Sequence, residues 1–294
     1  MAPLDSRTSV SSVIHDIGYQ RYRGPRLGRG YAVRSLYLHS MRAAFGIGRG
    51  AKAKIFPWLV VTIVLGVAIV EIAVRSLTGE ALMGYRGFAS GMTLPVMLFL
   101  AVVAPELVSR DLRDGVLPLY FSRPVRRYDY ALTKLAALLS AVLLLLAVPQ
   151  LLIYFGAVFA ADDGFGAALD ELGDLGPGLA GAAIRAMVLA GIALLVASTT
   201  GRRAFAAAFI VAVFLVTAPV VGVLYAIGNE TMKELAFLAT PMTMLNGVEE
   251  WLFGAQRNEG ALIGGFGPVY GLSALGLVVL SVSLLLARYR KVAS

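Results

Sequence analysis

The sequence contains no cysteine and only two histidines, His15 and His39. Without cysteine, a disulfide framework, a thiolate metal site and a cysteine nucleophile are excluded. Both histidines precede the first long apolar run, so a histidine metal site embedded among the apolar segments is excluded as well. Also missing are the His-Glu-x-x-His and Gly-x-Ser-x-Gly patterns and the Gly-x-x-x-x-Gly-Lys-Ser/Thr phosphate loop. The chain therefore has no recognisable catalytic motif and no phosphate loop with which to bind ATP.

Charge is scarce too. Charged residues make up 15% of the 294 residues and hydrophobic residues 58%, whereas soluble domains have about 25% and 45–50%. The mean hydropathy is +0.77. This composition predicts an integral membrane protein.

Six segments are long and apolar enough to cross a bilayer as helices, which takes about 20 residues. They predict an all-α membrane protein with six transmembrane helices. The segments are Phe56–Val74, Ser90–Val108, Lys134–Ala160, Leu179–Ser198, Phe205–Ile227 and Phe266–Ala287. Pro95, Pro149 and Pro219 fall inside three of them and predict kinks.

The basic residues are distributed unevenly between the two sides that alternate along these segments. One side, which includes both termini, holds 21 of the 26 lysines and arginines. Because cytoplasmic loops are enriched in lysine and arginine, we expect both termini in the cytoplasm. The net charge of +8 then reports topology, and we expect no nucleic-acid partner. About 55 residues precede the first apolar run, so no signal peptide is expected and the chain should stay whole.

The chain divides into one membrane domain, 56–287, with cytoplasmic tails at 1–31 and 288–294. Residues 32–55 are expected to form an amphipathic helix at the membrane surface and a basic linker. Apolar and polar residues alternate at helical spacing over Ala32–Gly48, and the linker Gly48–Lys54 leads into the first span. The alternative is a cytoplasmic helix without membrane contact. The acidic, glycine-rich loop Asp162–Gly178 is expected to be irregular. The long external loop 228–265 is apolar enough to form short helices that dip into the outer leaflet or cap the pore; the alternative is a folded loop that packs on its own spans.

A few polar residues lie within or beside the apolar segments. Glu71 is expected near the outer end of the first span, within reach of water, and Glu106 near the inner end of the second. Gln150, in the middle of the third span, either packs between helices or lines a pathway. We mark Glu71 and Gln150 as possible pathway residues. The one Gly-x-x-x-Gly pattern that lies wholly inside a predicted span, Gly267 to Gly271, is a weak signal for helix association.

The loop between the second and third spans, residues 109–133, is the most distinctive feature. It contains five arginines and three aspartates, and Glu106 and Lys134 flank it. With these flanks it resembles the signature of ABC-2 type transporter permeases in order and spacing, although Val116 stands where that family often has threonine. The matching residues are Glu106, Arg110, Asp111, Arg113, Asp114, Gly115, the apolar run 116–121, Ser122, Arg123, Pro124, Val125, Arg126, Arg127, Tyr130 and Lys134.

The resemblance implies that this loop carries a cytoplasmic coupling helix, which docks on a separate ATP-binding subunit. Mixed charges would fix the register, apolar side chains would anchor the helix, and Arg123-Pro124 would stiffen the return to the membrane. The alternative, that the loop anchors to anionic headgroups, does not explain its aspartates. The residues implied in coupling are Glu106, Arg110, Asp111, Arg113, Asp114, Gly115, Leu117, Leu119, Tyr120, Phe121, Arg123, Pro124, Arg126 and Lys134.

The resemblance also implies the assembly. Two ATPase subunits, which would bind ATP and magnesium, would drive two permeases, either two copies of this chain or this chain with a homologue, in a bacterial cell membrane. The chain itself would hold no cofactor or metal and would not be an enzyme. The apolar spans favour export of an amphiphile such as a drug, antibiotic, lipid or peptide. The alternatives are an ABC-associated protein for signalling or envelope remodelling without transport, and a lipid-modifying membrane enzyme.

Overall fold

The computed structural model describes residue 24 and residues 27–122, 125–161, 164–254 and 263–291. Within these residues the regular structure is entirely helical. In chain order the helices are α1 (Arg29–Ala44), α2 (Ala51–Thr78), α3 (Gly84–Gly91), α4 (Thr93–Leu107), α5 (Ser109–Arg113), α6 (Leu117–Phe121), α7 (Arg127–Ala160), α8 (Gly164–Ser198), α9 (Arg203–Leu215), α10 (Ala218–Ile227), α11 (Glu230–Ala236), α12 (Pro241–Phe253) and α13 (Gly267–Lys291).

Among the residues that the structure describes, six helical segments are long and apolar enough to span a membrane, which confirms the predicted all-α, multi-pass class. The spans are α2, α4 continued by α5, α7, α8, α9 continued by α10, and α13. In the second and fourth spans 61% of the most apolar stretch is buried, and in the third 50%, against 28%, 17% and 22% in the first, fifth and sixth. The second, third and fourth spans therefore form the centre of the bundle. The cytoplasmic location of the termini stays a prediction.

Small residues allow the central helices to pack closely. A stripe of fully buried alanines runs along α8, made of Ala182, Ala186, Ala190, Ala193 and Ala197. Their three- and four-residue spacing places them on one helix face. Since lipid supplies no hydrophobic drive for helix association, such small side chains stabilise a bundle by letting backbones approach.

Helix α1 overlaps the predicted segment Ala32–Gly48, but it begins three residues earlier, at Arg29, and ends at Ala44. Its buried residues are Leu36, Ser40 and Ala44, and it packs on α7 and α4. The hydroxyl of Tyr37 donates a hydrogen bond to Ser140 Oγ on α7 at 2.8 Å. The most buried face of the helix thus contacts protein. Its location at a membrane surface stays a prediction.

The expectation of an irregular loop over Asp162–Gly178 is wrong, because α8 begins at Gly164 and continues through this region. The helix is held there by side-chain contacts. Glu171 pairs with Arg75 and accepts a hydrogen bond from the Tyr85 hydroxyl at 2.6 Å, and Leu175 is buried. These tertiary contacts override the low helix propensity of the glycines.

Among the three prolines expected to disturb spans, only Pro219 coincides with an interruption. The fifth span divides into α9 and α10, and Pro219 occupies the first turn of α10. Pro95 lies in the first turn of α4, where a proline removes no helical hydrogen bond. Helix α7 continues through Pro149.

The described part of the external loop 228–265 is folded and packs on the spans. It contains α11, a 3₁₀ turn at Phe237–Ala239 and α12. The side chain of Thr240 caps α12 by accepting the backbone N–H of Met242 at 3.1 Å. Helix α12 contacts α13 and α8. The structure thus has both the predicted short helices and the predicted packing on the spans, while an insertion of these helices into the outer leaflet stays a prediction.

Candidate functional site

The loop of residues 109–133, called the charged loop from here on, contains two short helices, α5 and α6, joined by a tight turn, and the first residues of α7. Gly115 in this turn has φ +64°, a left-handed conformation that glycine adopts without steric cost. Pro118 occupies the first turn of α6, where its missing N–H is harmless. Buried Ser109 donates a hydrogen bond to the carbonyl oxygen of Ala197 at 2.7 Å, which attaches the start of the loop to α8.

Glu106, at the C-terminal end of α4, is in contact with arginines from three segments. Its carboxylate accepts a hydrogen bond from Arg110 at 3.2 Å. It also forms ion pairs with Arg49, in the connection before α2, and Arg203, at the start of α9. The predicted position of Glu106 near the end of the second span agrees with the structure. The sequence did not single out Arg49 or Arg203, and the only signal was their common place in the basic segments that flank the spans.

Asp111 and Lys134 form the second fixed point of the loop. Lys134 Nζ lies 2.9 Å from Asp111 Oδ2, and the lysine side chain is 4% exposed. The hydroxyl of Tyr130 donates to the same carboxylate oxygen at 2.7 Å. A buried ammonium is stable only when it is paired and hydrogen-bonded, so this contact holds α5 firmly against α7.

Aromatic ring contacts hold α6 against α7. The Tyr130 ring lies 5.5 Å from Tyr120, 6.2 Å from Phe121 and 5.2 Å from Tyr289, between ring centroids. These tilted and edge-on arrangements are favourable aromatic geometries. The inner side of the charged loop is thereby joined to both α7 and α13.

The outer face of the loop, defined here as Arg113, Asp114, Gly115, Pro118 and Leu119, is exposed. Leu119 is 68% exposed. Arg113 Nε donates to Asp114 Oδ1 at 3.0 Å, and this hydrogen bond holds the pKa of Asp114 below its ordinary value. The outer face therefore presents an ionised carboxylate, a guanidinium and an isolated apolar side chain side by side.

The residues predicted for coupling thus fall into distinct groups. Asp111, Leu117 and Lys134 face inward and fix the loop. Tyr120 and Phe121 are half-buried, whereas Arg110 and Arg126 are exposed. Arg123 and Pro124, the predicted stiff exit, lie outside the described residues. Of the expected apolar anchors, only Leu119 is exposed among the described residues. Leu117 is buried within the chain itself, at 5% exposure.

A cleft of about 680 Å³ lies between the charged loop and the α1–α2 connection. One wall carries His39, Arg42 and Arg49, and the opposite wall includes Asp114 and Leu119. The sequence assigned the first three only to a helix and a linker. The cleft shows that the connection before the first span and the outer face of the loop form one continuous surface.

The two possible pathway residues are both buried but differ in their hydrogen bonding. Glu71 is 1% exposed, so the expectation that it reaches water is wrong. Its carboxylate accepts the backbone N–H groups of Met83 and Gly84 at the start of α3, at 3.2 and 3.4 Å. A carboxylate satisfied by backbone N–H groups fixes a turn.

Gln150 is fully buried, and neither atom of its amide has a hydrogen-bond partner in the described part of the chain. It lies at the contact between α7 and α8. A Cβ added at Gly178 would approach Gln150 Oε1 and Tyr85 Cβ to 2.5 Å each. This geometry agrees with helix packing, the first of the two predicted roles, and a pathway role stays a prediction.

A buried ionic cluster lies elsewhere in the bundle, and the sequence motifs did not single it out. Arg185 on α8 pairs through Nε with Glu249 Oε1 on α12 at 2.7 Å. Its terminal nitrogens donate to Asn246 Oδ1 at 2.7 Å and Thr93 Oγ1 at 3.3 Å. The available signal was that Arg185 is the only charged residue in Leu179–Ser198, since a charge within a span is expected to have a partner.

Neither protein-family models nor curated proteins give a match to this sequence. Among the described residues, histidine, aspartate and glutamate side chains form no cluster able to hold a metal ion. The functional argument therefore depends on the charged loop and its supports.

Proposed function

We propose that this chain is the membrane-spanning subunit of an ATP-driven ABC transporter and that the charged loop receives the force of a separate ATPase. The observation that carries the proposal is the two-sided construction of the loop. Its inner side is fixed by the buried Asp111–Lys134 pair, and its outer face offers Arg113, Asp114 and Leu119 to a partner.

The supports of the loop suit mechanical transmission. Ser109 is bonded to α8, Asp111 to α7, and Glu106 to Arg203 of α9. A displacement of α5 and α6 would therefore be passed to several spans at once. Packed helices respond to such displacements by shifting as rigid bodies between discrete arrangements, which is the motion that alternating access needs.

The charge pattern supports docking on protein over simple adhesion to lipid. Anionic headgroups attract basic residues and repel carboxylates. Asp114 is exposed and ionised at the centre of the outer face. Alternating charges around an apolar side chain are typical of a protein interface, where the charges set orientation and the apolar group is buried.

In this proposal the partner subunit binds ATP and magnesium, which agrees with the absence of a phosphate loop from this sequence. Two ATPase copies and a second permease, identical or homologous, would complete the complex in a bacterial cell membrane. The apolar spans favour an amphiphilic substrate, moved outward. Gln150, buried among the central spans, is the pathway residue that remains in this proposal.

The test is to purify the tagged chain from its native membrane, to look for a phosphate-loop protein that copurifies with it, and to measure ATP hydrolysis and dye or lipid efflux in vesicles. The R113A/D114A double variant should insert normally and lose transport-linked hydrolysis, because it removes the outer charges. The E230A/K233A variant is the matched control, since it removes another exposed ion pair, at 3.0 Å, on α11. Unchanged coupling in R113A/D114A, or the absence of any ATP-binding partner, would contradict the proposal.

A further inference from the structure

A groove separate from the charged loop's outer face lies where α7 begins and α13 ends. The two helix ends are joined by a hydrogen bond from the guanidinium of Arg127 to the carbonyl oxygen of Arg290, at 2.7 Å. The groove has a volume of about 680 Å³. Because both helices are spans, it lies at the level where they leave the apolar layer.

The rim of the groove is strongly basic. Arg126, Arg127 and Arg290 line it, and none of the described lining residues is acidic. The nearest carboxylate along the chain, Asp129, is already engaged by Arg29 Nε at 2.8 Å and by the backbone N–H of Arg126 at 3.0 Å. The positive charge of the rim is therefore not neutralised from within the groove.

Two of these arginines are available to a ligand. Arg290 is exposed, and its guanidinium makes no hydrogen bond or ion pair within the described part of the chain. Arg126 is exposed, and among the described residues its guanidinium hydrogen-bonds only through Nη1, to the hydroxyl of Tyr128 at 2.7 Å. That contact orients the guanidinium and leaves its other N–H groups open, because arginine has five donors.

The wall below the rim is apolar. Leu132 on α7 is 42% exposed, and Leu286 on α13 is partly exposed; both line the groove. Tyr128, 40% exposed, stands between the arginines and this wall. Basic rim, aromatic side chain and apolar wall follow one another in the order in which a bilayer changes from headgroup to hydrocarbon.

We propose that this groove binds an anionic phospholipid, with its phosphate on Arg126 and Arg290 and an acyl chain along Leu132 and Leu286. Guanidinium groups bind phosphate oxygens in a bidentate manner, and basic pockets between transmembrane helices select anionic headgroups. A free phosphate would leave the apolar wall unused. The site requires only that α7 and α13 cross the membrane and does not depend on the proposed transport function.

The experiment uses the purified full-length chain in a neutral detergent, titrated with dioleoyl phosphatidylglycerol and followed by native mass spectrometry. The R126Q/R290Q variant should bind this lipid about 30-fold more weakly, as expected for loss of two basic residues near the headgroup. The control is R34Q/R202Q, which removes the same charge from two other exposed positions and should bind like the wild type. Arg290→Gln alone, at an exposed position, should weaken binding about fivefold. This single variant keeps the proposal testable if the double variant does not fold.

Three results would overturn the proposal. Equal loss in R126Q/R290Q and R34Q/R202Q would mean attraction by overall charge. Equal binding of phosphatidylcholine would mean an apolar groove without headgroup selection. Complete displacement of the lipid by excess inorganic phosphate would mean an anion site in which the acyl chain has no part.

Discussion

Arg185 and Glu249 form an ion pair in which Nε and Oε1 lie 2.7 Å apart, with both side chains almost fully buried, at 1% and 2% exposure. The pair joins the fourth span to α12 of the external loop. Asn246 and Thr93 accept hydrogen bonds from the remaining guanidinium nitrogens. Two charges removed from water are tolerated only when they are paired and hydrogen-bonded. Here the guanidinium is well satisfied, whereas Glu249 Oε2 has no hydrogen-bond partner among the described residues. The contact fixes one position of the loop 228–265 against the bundle.

Replacing Arg185 by Met should destabilise the protein by about 3–5 kcal/mol, because it leaves the Glu249 carboxylate buried without its partner. The R185M/E249M double variant should recover most of this loss, since it removes both charges and keeps an apolar volume. Unfolding followed in detergent by tryptophan fluorescence, with Trp251 close to the pair in sequence, measures both. A double variant as unstable as R185M would show that the two residues act independently.

Gly115→Ala should destabilise the charged loop by about 1–2 kcal/mol, because an alanine must adopt the left-handed conformation that glycine holds there. No atom lies near enough to clash with the added methyl group, so the effect is one of backbone conformation. Gly115→Asn is the matched variant and should be milder, since asparagine tolerates this region. Hydrogen exchange of residues 109–122 should rise in the alanine variant more than in the asparagine variant, and equal exchange would contradict the turn.

Gly271→Ala should cost about 1–3 kcal/mol through overpacking, because its methyl group would lie 2.4 Å from the Trp251 ring. Gly276→Ala, on the same helix α13 with open space around it, should instead be neutral or slightly stabilising. Thermal unfolding of the two variants makes the comparison. If both behave alike, α12 does not pack on α13 as described.

Gly271 also shows that a motif can be recognised in the sequence while its packing partner cannot be predicted. The Gly267 to Gly271 pattern was a weak signal for helix association. In the structure both glycines receive the indole of Trp251 from α12 of the same chain. The pattern specifies only a flat helix surface, and its partner, about 16 to 20 residues earlier, is decided by how the external loop folds.

Whether the other features could be predicted depends on whether their sequence signal lies in one short stretch of the chain. The six spans were predictable because each depends on its own apolar run, and Glu106 was placed correctly because it follows such a run. The pairing of Arg185 with Glu249 spans 64 residues, and no spacing rule connects them. The helical start of α8 was missed for a related reason, since Glu171 is held by Arg75 and Tyr85, which belong to earlier parts of the chain.

The contacts of Glu106 have one further consequence, for motion. When a partly buried carboxylate has a single cationic partner, separating the two leaves the carboxylate unpaired, and the free-energy cost of that unpaired charge keeps them together. Glu106 has three: Arg49, Arg110 and Arg203. If one of them shifts, two remain, so a displacement carried through this carboxylate never leaves it without a cationic partner, and the linked segments stay joined while they move.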